Sequence, residues 1–221
     1  MKHKLPYIIT LVSLFCVAIG SVLFFTLYPR LIFEYSEKYE GYLVVDAKGI
    51  SAEFTIPKTY KDKDVVGIGE RAFYKNNKLE RIIFENKNIK IIEKLAFSEC
   101  TNLVSIDLSG INNIERNAFS YAKSLDNITL NCINLGASAF YGCESLKNIN
   151  LGSNLKTIGS FVFSKSLIET LTFPKTFEVL AYDTFSDMAK LKEINIYKRS
   201  LNEGINYLNS LEGVTINNLS N

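Results

Sequence analysis

One dipeptide, recurring at near-constant spacing, constrains this chain more than any other feature. Ala72-Phe73 returns as Ala96-Phe97, Ala118-Phe119 and Ala139-Phe140, then more loosely as Val162-Phe163 and Thr184-Phe185. The phenylalanines lie 24, 22, 21, 23 and 22 residues apart. Other apolar positions keep register with the anchor. Six, nine and eleven residues after it come Leu79/Ile82/Phe84, Leu103/Ile106/Leu108, Leu125/Ile128/Leu130, Leu146/Ile149/Leu151 and Leu191/Ile194/Ile196. The fifth unit is one residue short and gives Ile168/Leu171/Phe173. Five residues before the anchor sit Ile68, Ile92, Ile114, Leu135, Ile158 and Leu180; eight before it sit Val65, Ile89, Ile111, Cys132, Leu155 and Phe177.

The segment L-x-x-I-x-L ends with the period-two alternation of a short strand. One strand per unit, stacked about 4.8 Å apart, makes a parallel ladder. A unit of roughly 22 residues cannot bury its own apolar face, so stacked neighbours must supply the core. The Ala-Phe position fits a turn of helix, with Ala packing close and Phe filling the interior. Gly69, Gly159, Glu93 and Glu115 mark a surface bend just before it. The expected fold is an α/β repeat solenoid over residues 42–216. A degenerate seventh unit, Leu211/Val214/Ile216 with Ile205 in the anchor place, would close it. Gly41 to Ile56 reads as strand, turn, strand, an amino-terminal hairpin cap on the first repeat. Residues 31–41 read as a juxtamembrane connector and 217–221 as a polar tail.

The unit I-G-x-x-A-F-x-x-C-x-x-L-x-x-I-x-L resembles the BspA-type leucine-rich repeat. Cys100 and Cys143 stand at its cysteine position, in "AFSECTNLVSI" and "AFYGCESLKNI". The lead-in "FTIPKTYKDKDVVGIGERAF" is similar too, and "TFPKTFEVLAYDTF" echoes it in the fifth unit. The resemblance covers about residues 42–216. It implies a surface-exposed protein, some relatives being adhesins or host-matrix binders. The chain is short for that family.

Lys4 and Arg30 bracket an uncharged run, Leu5 to Pro29, of 25 residues. As a helix it would span roughly 37 Å, enough for a hydrocarbon core of about 30 Å. Lys2 and Lys4 precede it, and Glu34, Glu37 and Glu40 follow it. The positive-inside rule then places the amino terminus in the cytoplasm and the repeats outside. Residues 1–30 therefore read as a basic tip and a single-pass signal-anchor, held in the lipid bilayer through Leu5 to Tyr28. The alternative is a signal peptide cleaved after Ala18-Ile19-Gly20, which would leave the repeats secreted.

Charge and chemistry exclude more than they assign. Residues 31–221 hold 22 basic and 23 acidic side chains, which gives no electrostatic reason to bind nucleic acid. The one histidine is His3, so His-based triads and His metal sites are missing from the repeats. Gly67, Gly69 and Ala72 spell a dinucleotide fingerprint in form, but they sit at repeat register rather than in a βαβ unit. Cys100, Cys132 and Cys143 occupy core positions of the repeat and read as buried free thiols. Cys100 and Cys143, two units apart, are roughly 10 Å distant by stacking, too far for a disulfide. No enzyme, cofactor or metal is expected.

The informative surface is the row between the last two apolar positions of each triple. From the second unit on it reads Asp107, Thr129, Asn150, Thr172, Asn195 and Thr215. These side chains point away from the core, small, polar and nearly uncharged. They are the candidate site for a protein or glycan partner. The rival reading is a scaffold or accessory subunit of a membrane complex.

Overall fold

The computed structural model describes residues 29–201 and 204–220. Each unit contributes two short strands rather than the one foretold. The first ladder is built on the row five residues before the anchor. It runs in the order β1 (Arg30–Ser36), β2 (Gly41–Lys48), β5 (Lys63–Ile68), β7 (Ile91–Ile92), β9 (Asn113–Ile114), β11 (Asn134–Leu135), β13 (Thr157–Ile158) and β15 (Val179–Leu180). From β2 onward the pairing is parallel, with Ile68, Ile92, Ile114, Leu135, Ile158 and Leu180 side by side.

The second ladder is the L-x-x-I-x-L segment, and it comes in three pieces. These are β3 (Glu53–Ile56), β6 (Arg81–Phe84) and β8 (Ser105–Ile106); then β10 (Asn127–Thr129) and β12 (Asn148–Asn150); then β14 (Thr170–Thr172), β16 (Glu193–Ile196) and β17 (Thr215–Asn218). The short β4 (Thr59–Tyr60) pairs only with β5.

The Ala-Phe segment is a chain of reverse turns, not a turn of helix. Backbone φ is positive two residues before each Phe (Arg71, Leu95, Asn117, Ser138, Phe161, Asp183) and two after it (Lys75, Glu99, Tyr121, Gly142, Lys165, Asp187). An α-helix cannot contain such residues. The reason for the departure lies in the hydrogen bonds. The N–H groups of Arg71, Phe73 and Lys75 donate to Lys94, Ala96 and Ser98 of the next unit at 3.2, 2.8 and 2.9 Å. Those of Ala72, Tyr74 and Asn76 close local turns. The turn is thus a third ladder between units, worth about 1 kcal/mol per bond against the cost of the left-handed residues. Helix among the described residues is confined to α1 (Ile205–Asn209) and a 3-10 turn, Lys198–Ser200. The fold is therefore a β-solenoid of leucine-rich-repeat type, not α/β.

The anchors fill the interior. Phe73, Phe97, Phe119, Phe140 and Phe163 are buried and stacked, with centroids 5.0, 5.1, 5.1 and 5.9 Å apart. That spacing follows the strand spacing, so one ring per unit makes a continuous column.

Both ends differ from expectation. The connector at 31–41 is instead mostly strand: β1 pairs antiparallel with β2 to form the cap. Its mix of aromatic and acidic residues is a period-two alternation that packs Leu31 and Phe33 on the core, with Phe33 stacked on Tyr60 at 4.3 Å. The Ile50–Ile56 stretch forms no hairpin with β2; β3 opens the second ladder by pairing with β6. At the other end Tyr207, not Ile205, takes the anchor place. Its ring stacks on Phe185 at 6.0 Å, and its hydroxyl accepts the Phe185 N–H at 3.0 Å. β17 pairs Ile216, not Val214, with Ile194, and it draws Asn217 and Asn218 of the presumed tail into the strand.

The ring column sets a stability test. Phe119→Ala should cost about 3–5 kcal/mol, as for buried Phe elsewhere. Thr129→Ala, on an exposed strand position, should cost about 0.5 kcal/mol or less. Urea unfolding of the two variants checks both; equal losses would show that the repeat register is misplaced.

Candidate functional site

The second ladder presents the first and third positions of strands such as β10, β12 and β14 to solvent because side chains alternate along a strand. Thr129 faces Asn150, and Thr172 faces Asn195, in register. Asp107, Thr129, Asn150 and Thr172 are exposed and Asn195 is half-buried. Thr215 does not belong to this row: it pairs with Glu193, and Asn217 stands beside Asn195. The anchor of this last unit is Tyr207, two residues after Ile205, and that explains the difference.

The row is cross-linked from unit to unit by side-chain amides. Asn217 Nδ2 donates to Asn195 Oδ1 at 2.9 Å, and Asn195 Nδ2 to Thr172 Oγ1 at 3.3 Å. In the adjacent row Asn148 Nδ2 donates to Asn127 Oδ1 at 2.7 Å. Two members are tied to the turns that follow them. Asp107 Oδ1 accepts the Ser109 N–H and Asn150 Oδ1 the Gly152 N–H, both at 2.9 Å. Hydrogen bonds from the Ser109 side chain and backbone hold the Asp107 carboxyl below its usual range.

The ladder has one open gap that the sequence reading missed. An isolated pairing of Leu108 with Leu130 bridges the first interruption, between β8 and β10. Nothing pairs β12 with β14. The fifth unit is one residue short between Phe163 and Ile168; its strand pairs in register with β16 on one side, and on the other the Leu167 N–H reaches the Leu146 carbonyl at 2.8 Å. Ile149 is consequently half-buried, where its equivalents Ile82, Ile106, Ile128, Leu171 and Ile194 are buried. A groove of about 770 Å³ follows the gap, lined by residues including Asn127, Thr129, Asn148, Ile149, Asn150 and Thr170. Lys147, Glu169 and Lys190 stand along it. The shortened unit was the available signal.

The remaining motifs serve the stack. A Cβ on Gly67 would collide with the Ile91 side chain, and one on Gly69 would lie 3.1 Å from the Val44 carbonyl. These glycines let strands approach; they open no dinucleotide loop. Cys100, Cys132 and Cys143 are free and buried. The Cys100 thiol donates to the Phe73 carbonyl at 3.0 Å and that of Cys143 to the Phe119 carbonyl at 3.3 Å. Each therefore joins its own unit to the one before it. Burial pushes the Cys100 and Cys132 thiols up to about 12 and the Cys143 thiol higher still.

Two parallel ladders, a turn ladder and a column of Phe rings define the chain as a leucine-rich-repeat solenoid. Six copies of the BspA type leucine rich repeat region match residues 52–134 and 112–220, and the chain belongs to that family. No curated protein matches its sequence. Among solved structures it is similar to a leucine rich repeat protein of T. pallidum, at 20% identity and a TM-score of 0.59, over 86% of this chain and 79% of that one. It is also similar to a leucine rich cell surface protein of Faecalibacterium prausnitzii, at 19% identity and a TM-score of 0.60, over 80% of this chain. There the match spans 55% of the other protein. The pneumococcal vaccine antigen PcpA matches at 20% identity and a TM-score of 0.56, over 78% of this chain and 49% of that one. At these identities the likeness is one of fold.

The buried thiols predict inertness. With a thiol pushed up to about 12, only about one part in ten thousand of Cys100 or Cys132 is thiolate at pH 8. In a Cys16→Ser variant, a disulfide reagent should therefore label no cysteine in the folded protein and all three after unfolding in guanidinium. Rapid labelling of any of them in the folded state would show that the core is open there.

Proposed function

We propose that this chain is a cell-surface interaction protein, held in the membrane through Leu5 to Tyr28, whose repeats bind a protein or glycan partner through the outward face of the second ladder. The observation that carries the reading is that face itself: an extended array of exposed Thr and Asn side chains on a rigid stack. Extended solenoid faces suit recognition. Membership in the BspA-type family supports surface display, as do neighbours described as a cell surface protein and a vaccine antigen.

The anchor segment lies outside the described residues, so topology rests on charge. The structure adds one consequence. Because β1 begins at Arg30, a span ending at Tyr28 leaves only Pro29 between bilayer and cap. The repeats would lie against the membrane, and the partner would be membrane-proximal.

Protease added to intact cells, after wall removal where a wall exists, should digest the repeats; full protection would overturn the location. Mass spectrometry of the mature chain separates anchor from cleaved signal, cleavage giving a start at Ser21. For the face, Thr129, Asn150 and Thr172 replaced together by Glu should abolish capture of the surface partner with the thermal midpoint unchanged. Capture that survives would move the site to another face.

A further inference from the structure

Resting on that reading of the outward face, we propose that the gap between β12 and β14 is a docking groove for an extended acidic peptide segment of the partner.

Three observations carry the proposal. The first is the geometry of the strand edges. Asn150 directs its carbonyl to Leu130, on the β10 side, so alternation turns the peptide group of Ile149 toward the gap. On the opposite wall the Glu169 carbonyl accepts from Glu193 and the Phe173 N–H donates to Asn195, both on the β16 side. Alternation then turns the peptide groups of Thr170 and Thr172 toward the gap. Two strand edges face each other with no ladder between them. Such edges are templates for an extended chain, which supplies the missing donors and acceptors.

The second is charge. Lys147 and Lys190 are exposed along the groove, and neither forms a salt bridge among the described residues. The one acid on the lining, Glu169, is paired with Lys192 at 2.8 Å. Lys175 stands beyond, where the gap continues past Thr172 and Pro174, above the Tyr197 ring. Glu169 also feels the charge of Lys190, yet the lining, with Lys147 and Lys190 against one acid, keeps a net positive charge within a domain that is otherwise near neutral, which selects carboxylates.

The third is the chemistry of the floor. Ile149 offers an apolar contact, and Asn127, Asn148, Asn150, Thr129 and Thr170 offer amides and hydroxyls. Between Lys147 and Lys190 the lining contains no aromatic ring on which a sugar face could stack, and the Tyr197 ring in its continuation is covered by Lys175. A peptide backbone fits this set better than a glycan does.

The probe is a fluorescent decapeptide of alternating Glu and Thr, titrated by anisotropy into the full chain in detergent micelles. A Lys-Thr decapeptide and oligogalacturonate are the comparison arms. The Glu-Thr peptide should bind at least about tenfold more tightly than the Lys-Thr peptide, and the double variant K147E/K190E should lose about tenfold or more for it. Both lysines are exposed, so the variant should unfold at the same temperature. Equal binding of the two peptides, or full binding by the variant, would overturn the proposal. Tighter binding of oligogalacturonate than of the peptide would overturn it too, giving the groove to an acidic glycan. Loss of the groove leaves the face reading testable: a K147E/K190E variant that still captures the surface partner refutes the groove alone, whereas capture by the Thr129/Asn150/Thr172 glutamate variant refutes the face.

Discussion

Hydrogen bonding between successive units is the constraint on which the rest of this structure depends. A unit of about 22 residues has too little interior to hold itself, so each is completed by its neighbours. Three ladders perform that completion, through β5–β15 on one side, β3–β17 on the other, and the turn N–H groups of residues such as Phe73, Phe97 and Phe119. The column of rings then follows, since a Phe held at a fixed place in each unit must meet the next at about the strand spacing. The thiols of Cys100 and Cys143 and the glycines at 67 and 69 serve the same register, the former by donating to the preceding unit, the latter by removing a clash.

A stack of this kind is sensitive to length within a unit, and the sensitivity is local. One missing residue between Phe163 and Ile168 leaves the first ladder continuous, with β13 paired to β15, yet it separates β12 from β14 in the second. The deletion falls after the anchor and before the second strand, so β13 is set before it and only β14 parts from the preceding unit, while still pairing in register with β16. The gap lies on the solvent face, beside the row of Thr and Asn, and its walls gather Lys147 and Lys190. A defect in the ladder therefore coincides with the most differentiated part of an otherwise repetitive surface, and both the face reading and the peptide groove meet there.

The ends show how a stack stops. At the amino terminus an antiparallel hairpin replaces a repeat, and Phe33, Tyr35, Tyr42 and Tyr60 cluster over the first unit. At the carboxyl terminus Tyr207 closes on Phe185, and β17 extends the second ladder alone. The carboxyl-terminal end keeps the internal register, Tyr207 lying 22 residues after Phe185 and Ile216 nine after Tyr207, whereas the amino-terminal end replaces the repeat, because an end unit has a neighbour on one side only.

The amino-acid sequence by itself determined the repeat, its core positions, the outward direction of Asp107, Thr129, Asn150, Thr172 and Asn195, and the burial of the three repeat cysteines. All of these are consequences of period and side-chain alternation, which spacing records directly. Tertiary structure decided what period cannot record. The Ala-Phe segment became reverse turns because its N–H groups bond to the next unit, a choice made between units and invisible within one. Leu31 to Ser36 became a strand because Gly41 to Tyr42 and the core beneath lie in reach. Thr215 left its row because β17 pairs Ile216 with Ile194, and two apolar residues two positions apart are equal candidates until a partner strand selects one. The groove, finally, exists only where two strands fail to pair, and the failure of a pairing is a property of three-dimensional neighbours.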